Sequence, residues 1–244
     1  MPASPEQPGP PGTHQPSPMG ARQQQQQQQQ PAPRSHRSMS AATLAPRERY
    51  ELLTSLVVPR PIGWLSTRSA AGRANLAPFS FFNLVSATPP YVAVSIGTRR
   101  NGAPKDSLAN ILATGCFCVN VVSEELLTVM NATSGAYAPG VDEFAVAGVS
   151  ARAAETVPAC YVAEAPAILE CRLLRTVELP GSANTLVLGE VLFVRVAEEL
   201  PTVEGTHGID PAALRAVARL GGAGYVLAGE LVRLARPVVE EGGG

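Results

Sequence analysis

Two runs near the C-terminal third restrict this chain more than any other feature. They are Ala167–Val177, AILECRLLRTV, and Thr185–Ala197, TLVLGEVLFVRVA, with Pro180-Gly181-Ser182 between them. Bulky apolar residues on both sides of a proline and glycine turn predict two long strands paired as a hairpin. In the second run Leu186, Leu188, Leu192, Val194 and Val196 fall on one face and Val187, Val191 and Phe193 on the other. A strand of a small barrel needs one apolar face for its own core, so the second face calls for cover by helices or by another subunit.

The rest of the chain repeats the hairpin theme. Ile62–Thr67 reads as a strand, Ser69-Ala70-Ala71-Gly72 as a turn, and Arg73–Ala77 as its antiparallel return, with Pro78 expected to stop the pairing for want of an amide hydrogen. Phe79–Val85 resumes as extended chain, Pro89-Pro90 turns it, and Tyr91–Ile96 reads as a buried strand. After a loop at Gly97–Pro104, Ser107–Thr114 is a helix with Leu108, Ile111 and Leu112 inward and Gly115 as its stop. Cys116–Val122 is an almost continuously apolar strand, and Ser123 caps the next helix. Met130–Gly148 is loop-like and long enough to be a lid.

Three shorter elements complete the reading. Pro46–Leu56 is an amphipathic helix whose Tyr50, Leu53 and Leu56 pack on the core. Asp210-Pro211 begins a helix to about Leu220, and Glu230–Leu234 is the last strand. Hairpin-linked strands with inserted helices predict an antiparallel barrel, not a doubly wound sheet. Gly97–Gly102 does not spell the dinucleotide fingerprint, and Gly221-Gly222-Ala223-Gly224 follows a helix instead of opening one, which argues against a Rossmann domain.

Composition sets the boundaries. The first 45 or so of the 244 residues are rich in Pro, Gln, Ser and Ala, with Gln23–Gln30 unbroken, and hold too little apolar surface to offset the entropy of ordering. The expected organisation is a disordered tail at 1–45, one domain at 46–237 and a flexible Gly-rich tail at 238–244. A net charge of −1 with interspersed signs lacks the electrostatic footprint of a nucleic-acid-binding protein. No apolar run reaches the length needed to cross a bilayer. Cys116, Cys118, Cys160 and Cys171 do not show zinc-site spacing and read as reduced, buried small hydrophobes. A cytoplasmic location follows. An organellar one remains open, because the tail carries Arg22, Arg34 and Arg37 against the single acid Glu6.

The chemistry concentrates between Pro59 and Asn110. Ser66 and Thr67 end a strand, Asn75-Leu76-Ala77-Pro78 is backbone-rich and kinked, and Lys105-Asp106-Ser107 opens a helix. Hydroxyls, amide hydrogens and one lysine at element ends suit a phosphate-bearing cofactor. No general base stands among them. His14 and His36 lie in the tail, which leaves His207 alone and too few ligands for a histidine-based metal centre.

The ordered motifs Arg60-Pro61-Ile62-Gly63, Ser66-Thr67, Asn75-Leu76-Ala77-Pro78-Phe79-Ser80, Phe82-Asn83, Pro89-Pro90 and Lys105-Asp106-Ser107 resemble the flavin reductase-like, or flavoredoxin-like, family. The resemblance continues through Val141-Asp142-Glu143-Phe144, Leu169-Glu170-Cys171 and Arg219–Tyr225 and covers about residues 46 to 237. It implies a mainly β fold with inserted helices, the split β-barrel of Greek-key type that binds FMN. It implies cofactor contacts at Ser66, Thr67, Asn75, Ala77, Ser80, Phe82, Asn83, Lys105, Asp106 and Ser107. In such a site Lys105 and Ser107 meet the phosphate, and Asn75 and Ala77 are the donors near the ring nitrogen that accepts hydride.

The activity so implied is an NAD(P)H-dependent flavin reductase and homodimer, with NADH or NADPH as co-substrate and a monooxygenase or another electron acceptor downstream. No catalytic side chain and no metal are required. The alternatives are a flavoredoxin-type electron carrier reduced by a protein partner, or a split-barrel binding protein without catalysis. Arg219 is either a further contact to cofactor or nicotinamide phosphate, or a plain helix end. Asp142-Glu143-Phe144 receives no catalytic role.

Overall fold

The computed structural model describes residues 32–235 and 237. The chain divides into two units, 1–44 and 45–244. Of the first, the described residues contain a turn closed by Thr43 N–H donating to Ser40 O at 3.2 Å. The glutamine tract and the glycine-rich end lie outside the described residues.

The second unit opens with helix α1 (Pro46–Leu56), followed by β1 (Arg60–Pro61), β2 (Gly63–Arg68), β3 (Ala74–Phe79), β4 (Phe82–Ala87) and β5 (Pro90–Ile96). Helix α2 (Asp106–Thr114) and β6 (Cys116–Asn120) come next. Beyond a single 3-10 turn are α3 (Leu127–Ala132), α4 (Glu143–Ala147), β7 (Ala151–Ala153) and β8 (Cys160–Val162). The expected long hairpin is β9 (Ala167–Glu178) with β10 (Thr185–Val196), and the chain ends in α5 (Pro211–Leu214), β11 (Ala218–Arg219) and β12 (Tyr225–Val226).

Seven strands form one antiparallel sheet in the order β3-β2-β6-β9-β10-β5-β4, which curls until β3 meets β5 as an open, split barrel. Two cores result. Leu65, Val92, Val94, Ile96, Val119 and Val187 fill the barrel, and Leu108 and Ile111 of α2 plug it. On the other side Trp64, Cys116, Cys118, Met130, Phe144 and Val162 make an outer layer. Strand β6 is buried on both faces because it serves both cores, Phe117 and Val119 towards the barrel and Cys116 and Cys118 away from it. Phe117 fits only because β10 has Gly189 opposite, where a Cβ would lie 2.4 Å from the ring.

Burial keeps the four cysteines out of thiol chemistry. All are free and buried, and burial pushes each thiol up, Cys160 to about 11. Among the described residues no helix is long and apolar enough to cross a membrane, and no cluster of His, Cys, Asp and Glu could hold a metal.

Several local expectations are corrected. Tyr50, Leu53 and Leu56 are 61%, 46% and 66% exposed, so the apolar stripe of α1 faces away from the core. The helix is held instead by buried Thr54 and by the Arg60 guanidinium, which donates to Thr54 O, Val57 O and Leu220 O. A cation there complements the C-terminal end of the helix dipole. Pro78 does not end the pairing. It sits opposite Trp64 within β3, tolerated because β3 is an edge strand with no strand paired on one side. Leu112 is exposed, and Tyr91–Ile96 alternates in burial instead of being buried throughout.

The C-terminal elements also differ. The helix from Asp210 stops at Leu214, where Arg215 turns left-handed with φ 47°, and Ala218–Arg219 forms a strand against β1. Residues Glu230–Leu234 carry no regular structure. Four residues do not make a helix that can stand alone, so the pairing with β1 decides the local conformation.

Candidate functional site

A cavity of about 460 Å³ opens where β3, the Gly97–Pro104 loop, the start of α2 and the segment after α3 converge. That volume lies within the roughly 300–1,000 Å³ usual for small-molecule sites. One wall is Asn75, Ala77 and Pro78 of β3. A second is Lys105, Asp106 and Ser107 at the start of α2, and the third runs from Thr133 through Tyr137 to Glu143. The glycine- and proline-bearing loop expected as a lid is therefore a wall of the cavity.

A buried polar network lies beneath the floor. The Asn75 side-chain amide donates to Ser107 Oγ at 2.9 Å and to Thr67 Oγ1 at 3.2 Å, and the Asn110 amide donates to Thr67 Oγ1 at 3.0 Å. All four residues are buried, so each bond lost would leave a polar group without water to replace it. The network locks strand β3 to the first turn of α2, and Thr67 supports the site without lining it.

Ser66, the next residue along an alternating strand, faces the opposite core. Its hydroxyl donates to Cys160 O at 2.6 Å and accepts from the Asn120 amide at 2.9 Å. Of the ten cofactor contacts expected, Asn75, Ala77, Lys105, Asp106 and Ser107 line the cavity. Ser66, Thr67, Ser80, Phe82 and Asn83 do not. Phe82 packs against the barrel core, and Asn83 is exposed on β4.

The backbone amides of β3 point alternately to the two sides of the strand. Leu76 N–H points away from the sheet and donates to Glu143 Oε2 at 3.0 Å. In an antiparallel ladder successive residues alternate, so the N–H groups of Asn75 and Ala77 turn inwards to β2. Leu76, between them, presents the outward amide, and Glu143 caps it.

Charge gathers at the other wall. Arg99 bridges Asp106 at 2.8 Å and donates to Tyr137 O at 2.9 Å, while Asp106 Oδ2 accepts from Gly140 N–H at 3.1 Å. Asp106 thus fastens the loop and the lid segment together. Lys105 Nζ lies 5.3 Å from the Phe79 ring centroid, and burial followed by the neighbouring Arg99 charge lowers its pKa. A lysine held against a like charge is relieved by an anion. Arg99, Arg100 and Lys105 outnumber Asp106 on this side of the cavity.

Sequence reasoning missed Arg99, Arg100 and Glu143 as cavity residues. The arginine doublet a few residues before Lys105 was the available signal. Glu143 lay in a motif of the family resemblance, but its place in the cavity had no local signal, because its meeting with Leu76 spans 67 residues. Arg219 takes no part in the cavity and pairs with the Tyr225 hydroxyl and Gly222 O.

Known proteins share this architecture. An uncharacterized protein of Deinococcus radiodurans is 41% identical over 194 residues, 78% of this chain and 85% of that protein. The crystal structure of nitrilotriacetate monooxygenase component B from Bacillus cereus superposes with a TM-score of 0.78 at 30% identity, covering 83% of this chain and all of that one. The 2-nitrobenzoate 2-nitroreductase of Pseudomonas fluorescens gives a TM-score of 0.74 at 27% identity, covering 86% of this chain and all of that one. The flavin reductase like domain family matches residues 55–209, so the chain belongs to that family of split-barrel, flavin-linked oxidoreductases.

Proposed function

We propose that the chain is an NAD(P)H-dependent flavin reductase that holds FMN in the cavity between β3 and α2. The observation that carries this reading is that Lys105 and Ser107 share one cavity with Asn75, Ala77 and Pro78. The donor set fits the cofactor. Lys105, the first amides of the nine-residue α2 and the Ser107 hydroxyl suit a phosphate, with Arg99 and Arg100 adding positive potential. Ala77, Pro78, Gly135 and Ala136 offer small, flat surfaces to a ring. Ser66 and Thr67 act from behind, while Ser80, Phe82 and Asn83, outside the cavity lining, are contacts that rest on the family resemblance alone.

Bound FMN supplies the hydride acceptor, with NADH or NADPH as donor. The chain's residues bind, orient and exclude water. Asp106 keeps the lid segment against the cavity through Arg99 and Gly140, and the Asn75–Ser107 bond fixes the floor. The likeness to a monooxygenase component B supports a monooxygenase partner as electron acceptor, besides oxygen or free flavin. Exposed Leu192, Val194 and Val196 on the outer face of β10 support a homodimer. A cytoplasmic location, and tails at 1–45 and 238–244 that are dispensable for the cofactor, complete the proposal.

The visible spectrum of the purified protein is the test. A yellow protein, or a colourless one that takes up added FMN, is expected, and NADH or NADPH should bleach it without oxygen. Failure to take up flavin ends the reading. A bound flavin that neither nucleotide bleaches would make the chain an electron carrier reduced by a protein partner.

A further inference from the structure

Glu143 is a buried acid that the reading above leaves without a task. It begins α4, is 7% exposed, lines the cavity beside Asn75 and Ala77, and accepts backbone hydrogen bonds only from Leu76 and from its own amide. An ionised carboxylate offers about four acceptor sites, so this environment serves the charged form poorly. The charges around it do the same. Asp142 precedes it on its own helix and Asp106 stands on the α2 wall, while β3 brings no charged group. The cations lining the cavity are Arg99, already bridged to Asp106, with Arg100 and Lys105. Burial first, then the two acids, push the Glu143 carboxyl above the ordinary range, against the pull of the Leu76 amide and of its own amide.

We propose that Glu143 is the proton donor of the site, giving up its carboxyl proton when hydride is delivered to the cofactor. The proposal rests on the flavin reading. Reduction of a flavin by a reduced nicotinamide transfers one hydride with its electron pair and consumes one proton. The hydride with its electron pair passes from the nicotinamide carbon to the flavin ring, leaving oxidised nicotinamide. The proton passes from the Glu143 O–H to the same ring, giving the neutral reduced flavin, and the carboxylate regains a proton from bulk solvent. The neighbouring acids are engaged elsewhere, Asp106 by Arg99 and Gly140 N–H and Asp142 by Phe144 N–H. Filling the cavity also strips water from Glu143 and favours its neutral form further, so cofactor uptake itself draws in a proton.

The experiment uses the full chain and FMN. Calorimetric titrations in two buffers of different ionisation enthalpy count protons, and flavin absorbance separately reports binding. Wild type should take up a fraction of a proton, up to one, and its affinity should fall with rising pH by at most about tenfold per pH unit. Glu143→Gln keeps an acceptor for Leu76 N–H but cannot give up a proton. It should lose this share of the uptake, and its anaerobic reduction by NADH or NADPH should be slower and independent of pH. Any uptake by Lys105 is common to both proteins and cancels in the difference. Bound flavin with the same proton count in both proteins overturns the proposal, whereas absent flavin absorbance overturns the flavin reading beneath it. Should Glu143→Gln not fold, wild type decides alone, since an FMN affinity unchanged from the ordinary carboxylate range, about pH 4, up to about pH 9 overturns the proposal.

Discussion

Glu143 and Glu170 are both buried glutamates, yet their surroundings do opposite things to them. Glu170, fully buried in β9, accepts from Glu155 N–H, Thr156 N–H, the Thr156 hydroxyl and Arg195 Nε. Burial pushes its carboxyl up, but those donors outweigh burial and hold it below the ordinary range. Glu143 has the Leu76 amide, two acidic neighbours and a cavity, and its carboxyl is raised. A buried acid with every lone pair engaged is a structural fastener, here tying the 155–156 loop to the sheet. One left partly unsatisfied beside a cavity is available for chemistry.

The sharpest way to break this comparison is to remove the fastener. Glu170→Ala leaves two backbone amides, a hydroxyl and Arg195 Nε without their acceptor, and should lower stability to denaturant by roughly 3 kcal/mol or more. A loss under about 1 kcal/mol would mean that water replaces the carboxylate and that Glu170 is not the fastener described.

A second substitution separates binding from folding. Lys105→Ala should weaken FMN binding by about 1–3 kcal/mol, read by fluorescence titration, with little change in the unfolding midpoint. Unchanged affinity would move the phosphate to another wall of the cavity.

The two glutamates should also tilt stability against pH in opposite directions. The raised Glu143 binds its proton more tightly folded than unfolded. Its contribution is therefore present at low pH and lost as pH rises from the ordinary carboxylate range through its folded pKa. The depressed Glu170 contributes above its unfolded pKa, and that contribution is lost as pH falls through its folded pKa. Glu143→Gln should remove only the downward slope that starts in the ordinary carboxylate range, measured as ΔG of unfolding across pH. A slope that survives the substitution belongs to another group.

The smallest expected effect on the fold lies on the outer face of β10. Val194→Lys adds a charge to an exposed position and should change the stability of a single chain by no more than about 0.5 kcal/mol. The same change should dissociate a homodimer in sedimentation velocity. An unaltered sedimentation coefficient would show that another exposed face, such as Tyr50, Leu53 and Leu56 of α1, carries any association.

Much of the barrel was legible in the residues. The strands of the β2–β3 and β9–β10 hairpins and the start of α2 follow from turn residues and alternation between near neighbours. The stripe on α1 was equally clear as a pattern and misleading as a contact. Periodicity names a face but not what lies against it, and the Arg60 side chain anchored the opposite side. The helix expected to Leu220 failed for a related reason, since β1 offered Ala218 and Arg219 a strand partner.

By itself, the sequence determined the period of each segment, the places where the chain must turn, and a lysine and hydroxyl suited to an anion at one helix start. These are properties of residues close along the chain. Tertiary structure alone decided that β3 is an edge strand that accommodates Pro78, that Asn75 reaches Ser107, and that Glu143 meets Leu76 across 67 residues. Burial and the charge state that follows from it depend on groups that only folding brings together, so no local pattern could carry them.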